Sequence, residues 1–328
     1  MTVQRRTFLG GSFAATIASS VSGEAQLANA SNATASLPPP WPSPESFPLW
    51  PNGPPGAPTT AIVHDLTASG DGQLRLRGVA IPQVHVYRPA RPDGSALLTL
   101  PGGGYSFLSI QNEGLDAAQR FNADRMTVFI LTYRLPGEGW ANRSLVPLSD
   151  AQRAMRLIRA RAATFRIDPD RLGVMGFSAG GHLAAHLTAA HDERAYAPVD
   201  AADRLSAKPA YSGLIYPVAT LDPAISHKGS RDNLLGPNPS AALEAARSPE
   251  RHIGPATPPC FLVHAFDDGA VPIENSLRWI AACRAAKVPV EAHLVTEGGH
   301  GFGFRLPVGL TASRWPNLFS TWLRKHGG

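Results

Sequence analysis

The chain has 328 residues, a formal net charge of +5 at pH 7 and 2 cysteines. This length suits one α/β domain with a substantial core, and no Lys/Arg run or basic helix points to a nucleic acid or a membrane surface as a partner. No Cys/His cluster has the spacing of metal ligands, so no metal site is predicted, and Cys260 and Cys283 are interpreted as free, buried thiols.

Residues 1–30 have the features of an export signal. Arg5-Arg6-Thr7-Phe8-Leu9 resembles a twin-arginine motif, a weakly apolar stretch follows at 10–21, and Ala28-Asn29-Ala30 is a candidate cleavage site. The apolar stretch is too short and too rich in Gly, Ser and Thr for a transmembrane helix. We predict export to the periplasm or the medium without stable membrane insertion, where an oxidising compartment would permit a bond between the cysteines. The alternative is a disordered or amphipathic cytoplasmic tail.

Residues 31–60 are predicted to form a proline-rich arm. The stretch 37–58 contains too many prolines for a regular helix or a central strand, so we expect it to wrap the domain in an extended conformation. Trp41 and Trp50 are candidates to anchor it. Residues 61–328 then form the catalytic domain.

Strand-like and helix-like segments alternate along that domain. Apolar runs predict strands at 83–88, 96–100, 126–133, 172–175, 211–218, 260–264 and 291–295. Helical spacing predicts helices at 113–121, at 149–166 with Ser149 as a candidate N-cap, from Ser178 onward, at 273–286 and at 315–325. The alternation predicts an α/β fold with a mostly parallel central sheet flanked by helices. Residues 219–259 interrupt it and are predicted to be a cap or lid insertion.

Three glycines follow the second of these strands, in Pro101-Gly102-Gly103-Gly104-Tyr105. Glycines at this place let the backbone pass close to a bound acyl group with its N–H groups turned inward. Gly103 and Gly104, together with the N–H of Ala179, are the candidate oxyanion hole. A plain loop is the alternative interpretation of the triplet.

A serine lies between two glycines at a strand-to-helix junction, in Gly176-Phe177-Ser178-Ala179-Gly180. Such a turn exposes the hydroxyl of Ser178 at the top of a sheet, which predicts a nucleophile for acyl transfer. The nucleophile needs a base and an orienting carboxylate.

Both partners are available downstream. Asp267 and Asp268 follow the strand-like run 260–264, at the end of a strand where open α/β sheets bind ligands. His300 lies in a glycine-rich loop after the run 291–295. The order serine, aspartate, histidine is that of α/β-hydrolases.

These segments together resemble the α/β-hydrolase esterases related to the hormone-sensitive-lipase group, and most closely their acetyl-xylan-esterase-like branch. The matching segments are 49–53, 101–105, 176–185, 227–236, a His-x-x-x-Asp-x-x-Val-Pro loop from His264 to Pro272, and Gly-Gly-His-Gly-Phe-Gly at 298–303. The loop motif selects Asp268 as the acid, which leaves Asp267 in a structural or solvent-facing role. The chain departs from the lipases at Pro101, where they usually have histidine.

The resemblance implies the α/β-hydrolase fold and a serine esterase. We predict a two-step acyl transfer by Ser178, His300 and Asp268 that needs no cofactor. The resemblance and the export signal favour acetyl or other short acyl esters, on a small molecule or on a polysaccharide such as acetylated xylan. Tyr105, Trp140 and residues of the insertion are candidates to line the leaving-group site, with a packing role as the equal alternative for each. The oligomeric state is not indicated.

Three alternatives remain open. A broad-specificity short-chain carboxylesterase would use the same residues. A non-catalytic carbohydrate-binding module on a hydrolase scaffold is disfavoured because all three triad positions are intact. A prolyl-oligopeptidase-type peptidase would usually carry a propeller domain, for which the chain has no room. Glycoside hydrolysis normally requires two carboxylates that flank the scissile bond, and no such pair stands out.

Overall fold

A computed structural model describes residues 39–70 and 72–326. The predicted export signal and the first residues of the arm lie outside this part of the chain. The strands are β1 Ser46–Pro48, β2 Asp65–Ala68, β3 Leu74–Arg77, β4 Gln83–Tyr87, β5 Ala96–Leu100, β6 Leu108–Ser109, β7 Thr127–Thr132, β8 Leu172–Phe177, β9 Ser212–Ile215, β10 Cys260–Ala265 and β11 Val290–Val295.

Eight of the strands form one sheet in the order β1-β4-β7-β5-β8-β9-β10-β11. The six strands from β7 to β11 in this order are parallel to one another. Strand β4 pairs with β7 in the antiparallel direction, and the edge strand β1 pairs with β4 in the antiparallel direction. Every residue of β5, β7, β8 and β10 is buried. This is expected where helices cover both faces of a parallel sheet.

The helices flank this sheet. They are α1 Asp116–Ala123, α2 Val146–Ala160, α3 Ala162–Phe165, α4 Ser178–Ala189, α5 Lys228–Leu235, α6 Ala241–Ala246, α7 Glu274–Ala285 and α8 Trp315–His326. A short π-helical turn, Gln111–Leu115, leads into α1. The mostly parallel sheet with flanking helices confirms the predicted α/β-hydrolase fold.

Two local predictions were wrong. Ser149 is not the N-cap of its helix, because α2 begins at Val146 with Pro147 in its first turn, where proline is tolerated. The Ser149 hydroxyl instead donates to the carbonyls of Leu145 and Ala195. Strand β9 is also shorter than predicted, since the chain leaves the sheet at Tyr216, whose φ is +38°.

A second, three-stranded sheet was not predicted. It has the order β2-β3-β6 and is antiparallel. Its strands β2 and β3 have four residues each and β6 has two, so each is too short for its pattern to stand out from a loop.

The described part of the arm contacts the domain through both tryptophans. Trp50 is buried, and its indole N–H donates to Asp150 Oδ1 at 2.9 Å. Asp150 also accepts from the buried guanidinium of Arg134 at 2.8 Å, so this aspartate joins the arm to two other segments. The ring of Trp41 lies 4.3 Å from that of His85.

Cys260 and Cys283 are both free and buried, as predicted. Within residues 39–70 and 72–326, no helix has both the length and the hydrophobicity to cross a bilayer.

Candidate active site

The predicted site residues lie at one edge of the main sheet. Strands β5, β8, β10 and β11 are parallel, so their carboxyl ends point to the same edge. The loops that follow them carry the glycine triplet, Ser178, Asp268 and His300. The fold therefore brings together segments that are up to about two hundred residues apart in the sequence.

Ser178 occupies a tight turn between β8 and α4. Its φ is +53°, a left-handed conformation that is costly for a non-glycine residue and that is common at functional sites. Gly180 makes the turn feasible, because a Cβ atom at this position would lie 2.0 Å from the carbonyl oxygen of Leu100. The start of α4 thus lies directly against the end of β5.

Ser178, His300 and Asp268 form a continuous chain of hydrogen bonds. The Oγ of Ser178 lies 2.8 Å from Nε2 of His300, and Nδ1 of His300 lies 2.7 Å from Oδ2 of Asp268. An ionised carboxylate can only accept, so Nδ1 carries the proton and Nε2 of the neutral ring accepts from the serine hydroxyl. This is the tautomer that a general base next to a serine requires.

Four hydrogen bonds hold the carboxylate of Asp268. Oδ1 accepts from the N–H groups of Ala270 and Val271 at 2.8 Å each, and Oδ2 accepts from His300 and from Nε2 of His264 at 3.0 Å. Burial alone would raise the pKa of Asp268, but the hydrogen bonds from the two histidines outweigh it and hold the pKa below its usual range. The carboxylate is therefore ionised at neutral pH.

His264 is itself fixed by its neighbours. Its Nε2 lies 3.1 Å from the carbonyl oxygen of Val271, an acceptor, so Nε2 carries the proton. Nδ1 then accepts from the Ser276 hydroxyl at 2.7 Å. His264 thereby helps to orient Asp268 through Oδ2, the same oxygen that accepts from His300.

Asp267 has a different environment. It is exposed, and its carboxylate accepts from the N–H groups of Gly299 at 2.8 Å and Gly298 at 3.2 Å. Asp267 therefore supports the loop that carries His300 without contacting the imidazole.

The glycine triplet lies beside the nucleophile. A Cβ atom on Gly102 would be 3.0 Å from the Cβ of Ser178. Gly103 has φ +126°, and a Cβ there would lie 2.2 Å from the carbonyl oxygen of Phe107, so only glycine fits. Ala179 is the second residue of α4, and its N–H has no carbonyl one turn earlier in the helix to bond.

A pocket of about 460 Å³ opens over Ser178 and His300. Its lining residues are Gln73, Arg75, Gly103, Gly104, Ser106, Phe107, Ser109, Asn112, Glu113, Ser178, His227, Gly229, Asn233, His300 and Gly301. Apart from the glycines, Phe107 is the one apolar side chain in this set. Most of the side chains around the nucleophile are therefore polar.

The predicted insertion contributes to this pocket, but two other candidates do not. His227, Gly229 and Asn233 belong to residues 219–259, and the Asn233 amide donates to the carbonyl of Gly104 at 2.8 Å. Tyr105 and Trp140 are buried away from the pocket, so the suggestion that they line the leaving-group site was wrong. The hydroxyl of Tyr105 bonds to Nδ1 of His182 instead.

Several residues of the pocket region gave no recognisable signal in the sequence. They are Gln73 just before β3, Arg75 on β3, Phe107 and Asn112 near β6, Glu113 in the π turn, and Tyr216, whose ring lies beside that of His300 after β9. Each belongs to a segment whose pattern indicates only a loop, a helix or a strand.

Within the described residues, no group of three or more His, Cys, Asp or Glu side chains has an arrangement that could hold a metal ion. His182 and His186 are buried in α4 and pack against neighbouring rings.

Comparison with known proteins identifies the family. The BD-FAE family model matches residues 85–281, more than half of the chain. The chain belongs to the BD-FAE family. The matched region of this BD-FAE protein contains Gly103, Ser178 and Asp268, and it ends before His300.

Named relatives of this BD-FAE protein are hydrolases. It is 32% identical over 252 residues to an acetylxylan esterase of Xylanibacter ruminicola, and the alignment covers 75% of this chain and 47% of that protein. It is 35% identical over 205 residues to endo-1,4-beta-xylanase B of Butyrivibrio fibrisolvens, and this alignment covers 62% of this chain and 32% of that protein. The chain thus spans about half or less of the length of these two curated relatives.

A solved structure covers more of the BD-FAE chain. The acetyl ester-xyloside bifunctional hydrolase from Caldicellulosiruptor lactoaceticus superposes with a TM-score of 0.72 at 31% identity, over 89% of this chain and 98% of that one. The predicted resemblance to acetyl-xylan-esterase-like α/β-hydrolases is confirmed. The predicted enzyme class, a carboxylic ester hydrolase, is also the class of the named esterases among the relatives.

Proposed function

We propose that this protein is a serine esterase that hydrolyses acetyl or other short acyl esters on carbohydrate, such as those of acetylated xylan. The observation that carries the proposal is the continuous hydrogen-bond chain from Ser178 through His300 to Asp268, beneath a pocket lined mainly by polar side chains. The names of the acetylxylan esterase and of the bifunctional hydrolase support the choice of ester.

The reaction begins when Ser178 Oγ attacks the ester carbonyl and Nε2 of His300 takes its proton. Asp268 stabilises the imidazolium that forms. The N–H groups of Gly103, Gly104 and Ala179 bind the oxyanion, and the amino end of α4 adds a favourable dipole. His300 then protonates the alcohol as it leaves. Water, activated by the same imidazole, releases the acid and restores Ser178.

The export signal at 1–30 and the cap role of 219–259 remain part of the proposal. Export would bring the enzyme to polysaccharide outside the cytoplasm. His227 and Asn233, from the cap, lie beside the glycine triplet, which is where the acyl group or the alcohol of an ester would sit. Variation in this segment would thus alter substrate choice while the triad stays unchanged.

A glycosidase is not supported by the pocket. Glu113 is the one carboxyl group among its described lining residues, and both of its oxygens already accept hydrogen bonds. Glycoside hydrolysis normally needs a second carboxyl group across the scissile bond.

Acyl-chain length is the first test. A buried methylene contributes about 0.8 kcal/mol in an apolar site, but the described pocket wall offers only Phe107 as an apolar side chain. We expect kcat/KM for chromogenic esters to fall about tenfold or more from acetate to octanoate, and we expect acetate release from acetylated xylan. Equal rates on short and long chains would favour the broad-specificity carboxylesterase. Sugar binding without turnover of any ester would favour the binding module.

His227 provides a second test, of the polar leaving group. Its Nδ1 accepts from the backbone N–H of Ser230 at 3.2 Å, so the neutral ring carries its proton on Nε2. Burial lowers the pKa of His227, so the ring is neutral at pH 7. As a lining residue, His227 offers this N–H to a sugar hydroxyl.

His227→Phe is therefore expected to raise KM for an acetylated xylo-oligosaccharide about tenfold, because one hydrogen bond to the sugar is lost. KM for a chromogenic acetate, whose leaving group has no sugar hydroxyls, is expected to change less than about twofold. His293→Phe, which changes a histidine on β11 outside the pocket, is the control. An equal rise in KM for both esters would contradict a contact with the sugar.

A further inference from the structure

Glu113 is a buried carboxyl group that the acyl-transfer mechanism does not use. It lies in the π turn before α1, lines the pocket, and is 4% exposed. No lysine or arginine of the described chain forms an ion pair with it. A buried carboxyl group without a cationic partner is costly, which makes a functional reason for its presence worth testing.

Neutral donors from two different segments bind this carboxyl group. The backbone N–H of Gly102 donates to Oε2 at 2.6 Å, and the Tyr216 hydroxyl donates to Oε1 at 2.8 Å. The Tyr216 oxygen in turn accepts from the backbone N–H of Gly303 at 3.0 Å. Glu113 and Tyr216 therefore form a bridge between Gly102 and Gly303.

The two ends of this bridge lie next to the reacting groups. Gly102 directly precedes Gly103 and Gly104, the proposed oxyanion donors, and Gly303 follows His300 by three residues. The loop from Pro101 and the loop around His300 follow β5 and β11, which are separated in the sheet by three strands. Their relative position is thus not set by direct pairing of the strands.

Tyr216 is held in a conformation that suits this role. It is fully buried and has φ +38°, and its ring lies 5.0 Å from the ring of His300 and 4.5 Å from that of Phe302. A strained backbone next to a functional group persists only when the surrounding contacts favour it. Burial raises the pKa of Tyr216, so the hydroxyl keeps its proton and donates a hydrogen bond to Glu113.

We propose that Glu113 and Tyr216 are positioning residues: they fix the position of the loop that carries Gly103 and Gly104 relative to the loop that carries His300. The oxyanion donors must lie within hydrogen-bond distance of the carbonyl oxygen while His300 lies within hydrogen-bond distance of the Ser178 hydroxyl and the leaving oxygen. Both loops must therefore hold their groups in the right positions at the same time. A misplacement of about 1 Å can cost a hundredfold in rate. This inference rests on the proposed esterase function, but the bridge itself can be tested without it.

The variants Glu113→Gln, Tyr216→Phe and the double variant test the bridge. Glutamine keeps the size of the side chain but replaces one of the two acceptor oxygens with an NH2 donor. If its oxygen accepts from the Gly102 N–H, the NH2 group faces the Tyr216 hydroxyl, which can then no longer donate to residue 113. Phenylalanine keeps the ring beside His300 and removes the hydroxyl. Glu138→Gln is a matched control, since Glu138 also accepts from a glycine N–H, that of Gly78 at 2.7 Å, and lies outside the pocket. Tyr211→Phe removes another buried hydroxyl, which donates to the carbonyl of Ala96.

Hydrogen–deuterium exchange gives a readout that does not depend on activity. We expect Glu113→Gln to accelerate amide exchange in segments 101–109 and 298–305 about tenfold, and Tyr216→Phe to do so mainly in 298–305. The Glu138 and Tyr211 variants should leave both segments within about twofold of wild type. Unchanged exchange in both segments for both bridge variants would overturn the proposal. If Glu113→Gln does not fold, Tyr216→Phe alone decides.

Kinetics provide the second readout. Each single variant is expected to lower kcat about tenfold or more with KM changed less than about threefold, and the double variant should be no slower than the slower single variant, because both residues belong to one bridge. Independent, multiplicative losses, or a kcat within about twofold of wild type for both single variants, would contradict the proposal. A wild-type protein that hydrolyses no ester would refute the proposed function, whereas the exchange result would still decide whether the bridge exists.

Discussion

Ser178→Ala is expected to lower kcat for a chromogenic acetate about 10⁴-fold or more. The substitution removes the nucleophile, and nothing else in the hydrogen-bond chain can replace it, since His300 would have no hydroxyl to deprotonate. The residual rate would come from the oxyanion donors and the binding of the ester alone.

The fold should survive this change. Alanine is smaller than serine, and His300 is the one hydrogen-bond partner of the Ser178 side chain in the part of the chain that the structure describes. Circular dichroism and the melting temperature should therefore match wild type. Ser109→Ala, which changes another serine of the pocket wall, is the control and should retain most activity. More than a tenth of the wild-type rate in Ser178→Ala would contradict the proposed mechanism.

Asp268→Asn is expected to lower kcat about 10³- to 10⁴-fold. Oδ1 of Asp268 accepts from two backbone N–H groups, so an asparagine would keep its carbonyl oxygen there and turn its amide toward the two histidines. His300 would then have to accept on Nδ1 and carry its proton on Nε2. In that tautomer the imidazole cannot take the proton of Ser178.

Asp267→Asn is the matched control, one residue away. Within the described residues, the Asp267 carboxylate accepts from the backbone N–H groups of Gly298 and Gly299 and makes no hydrogen bond to His300. We expect less than about a tenfold loss in kcat from a loosened loop. Rates of the two variants on the same chromogenic acetate, measured across pH 5 to 9, separate the roles. Equal losses would show that the acid had been assigned to the wrong aspartate.

The sequence predicted the bounds of secondary-structure elements best where both faces of an element are buried. Strands β5, β8 and β10 are buried along their whole length, so their apolar runs stand out, and the predicted bounds differ from the observed ones by two residues at most. Ser149 shows the limit of local rules. A serine near the start of a helix is usually a cap, but the proline before it allowed α2 to begin three residues earlier.

The site could be predicted in part for a related reason. Ser178 and His300 each lie in a short segment flanked by glycines, and such segments are recognisable in the sequence. Glu113 and Tyr216 are different, because one lies in a helix-like segment and the other in an apolar strand-like run. Glu113 and Tyr216 come close only because loops from distant parts of the chain lie together at one edge of the sheet, and the sequence near either residue does not contain this information.

The sequence by itself determined the alternation of strands and helices, the glycine-flanked serine and histidine, and the order of the triad residues. These are local properties, since they follow from burial periodicity and from the backbone freedom of glycine. The motif from His264 to Pro272 had already selected Asp268 over Asp267, and the structure places Asp268 in hydrogen-bond contact with His300. Only the tertiary structure decided that Arg75 and His227 line the pocket and that Glu113 bridges two loops. Each of these depends on distances between segments far apart in the chain, which are set by how the parallel strands are ordered in the sheet.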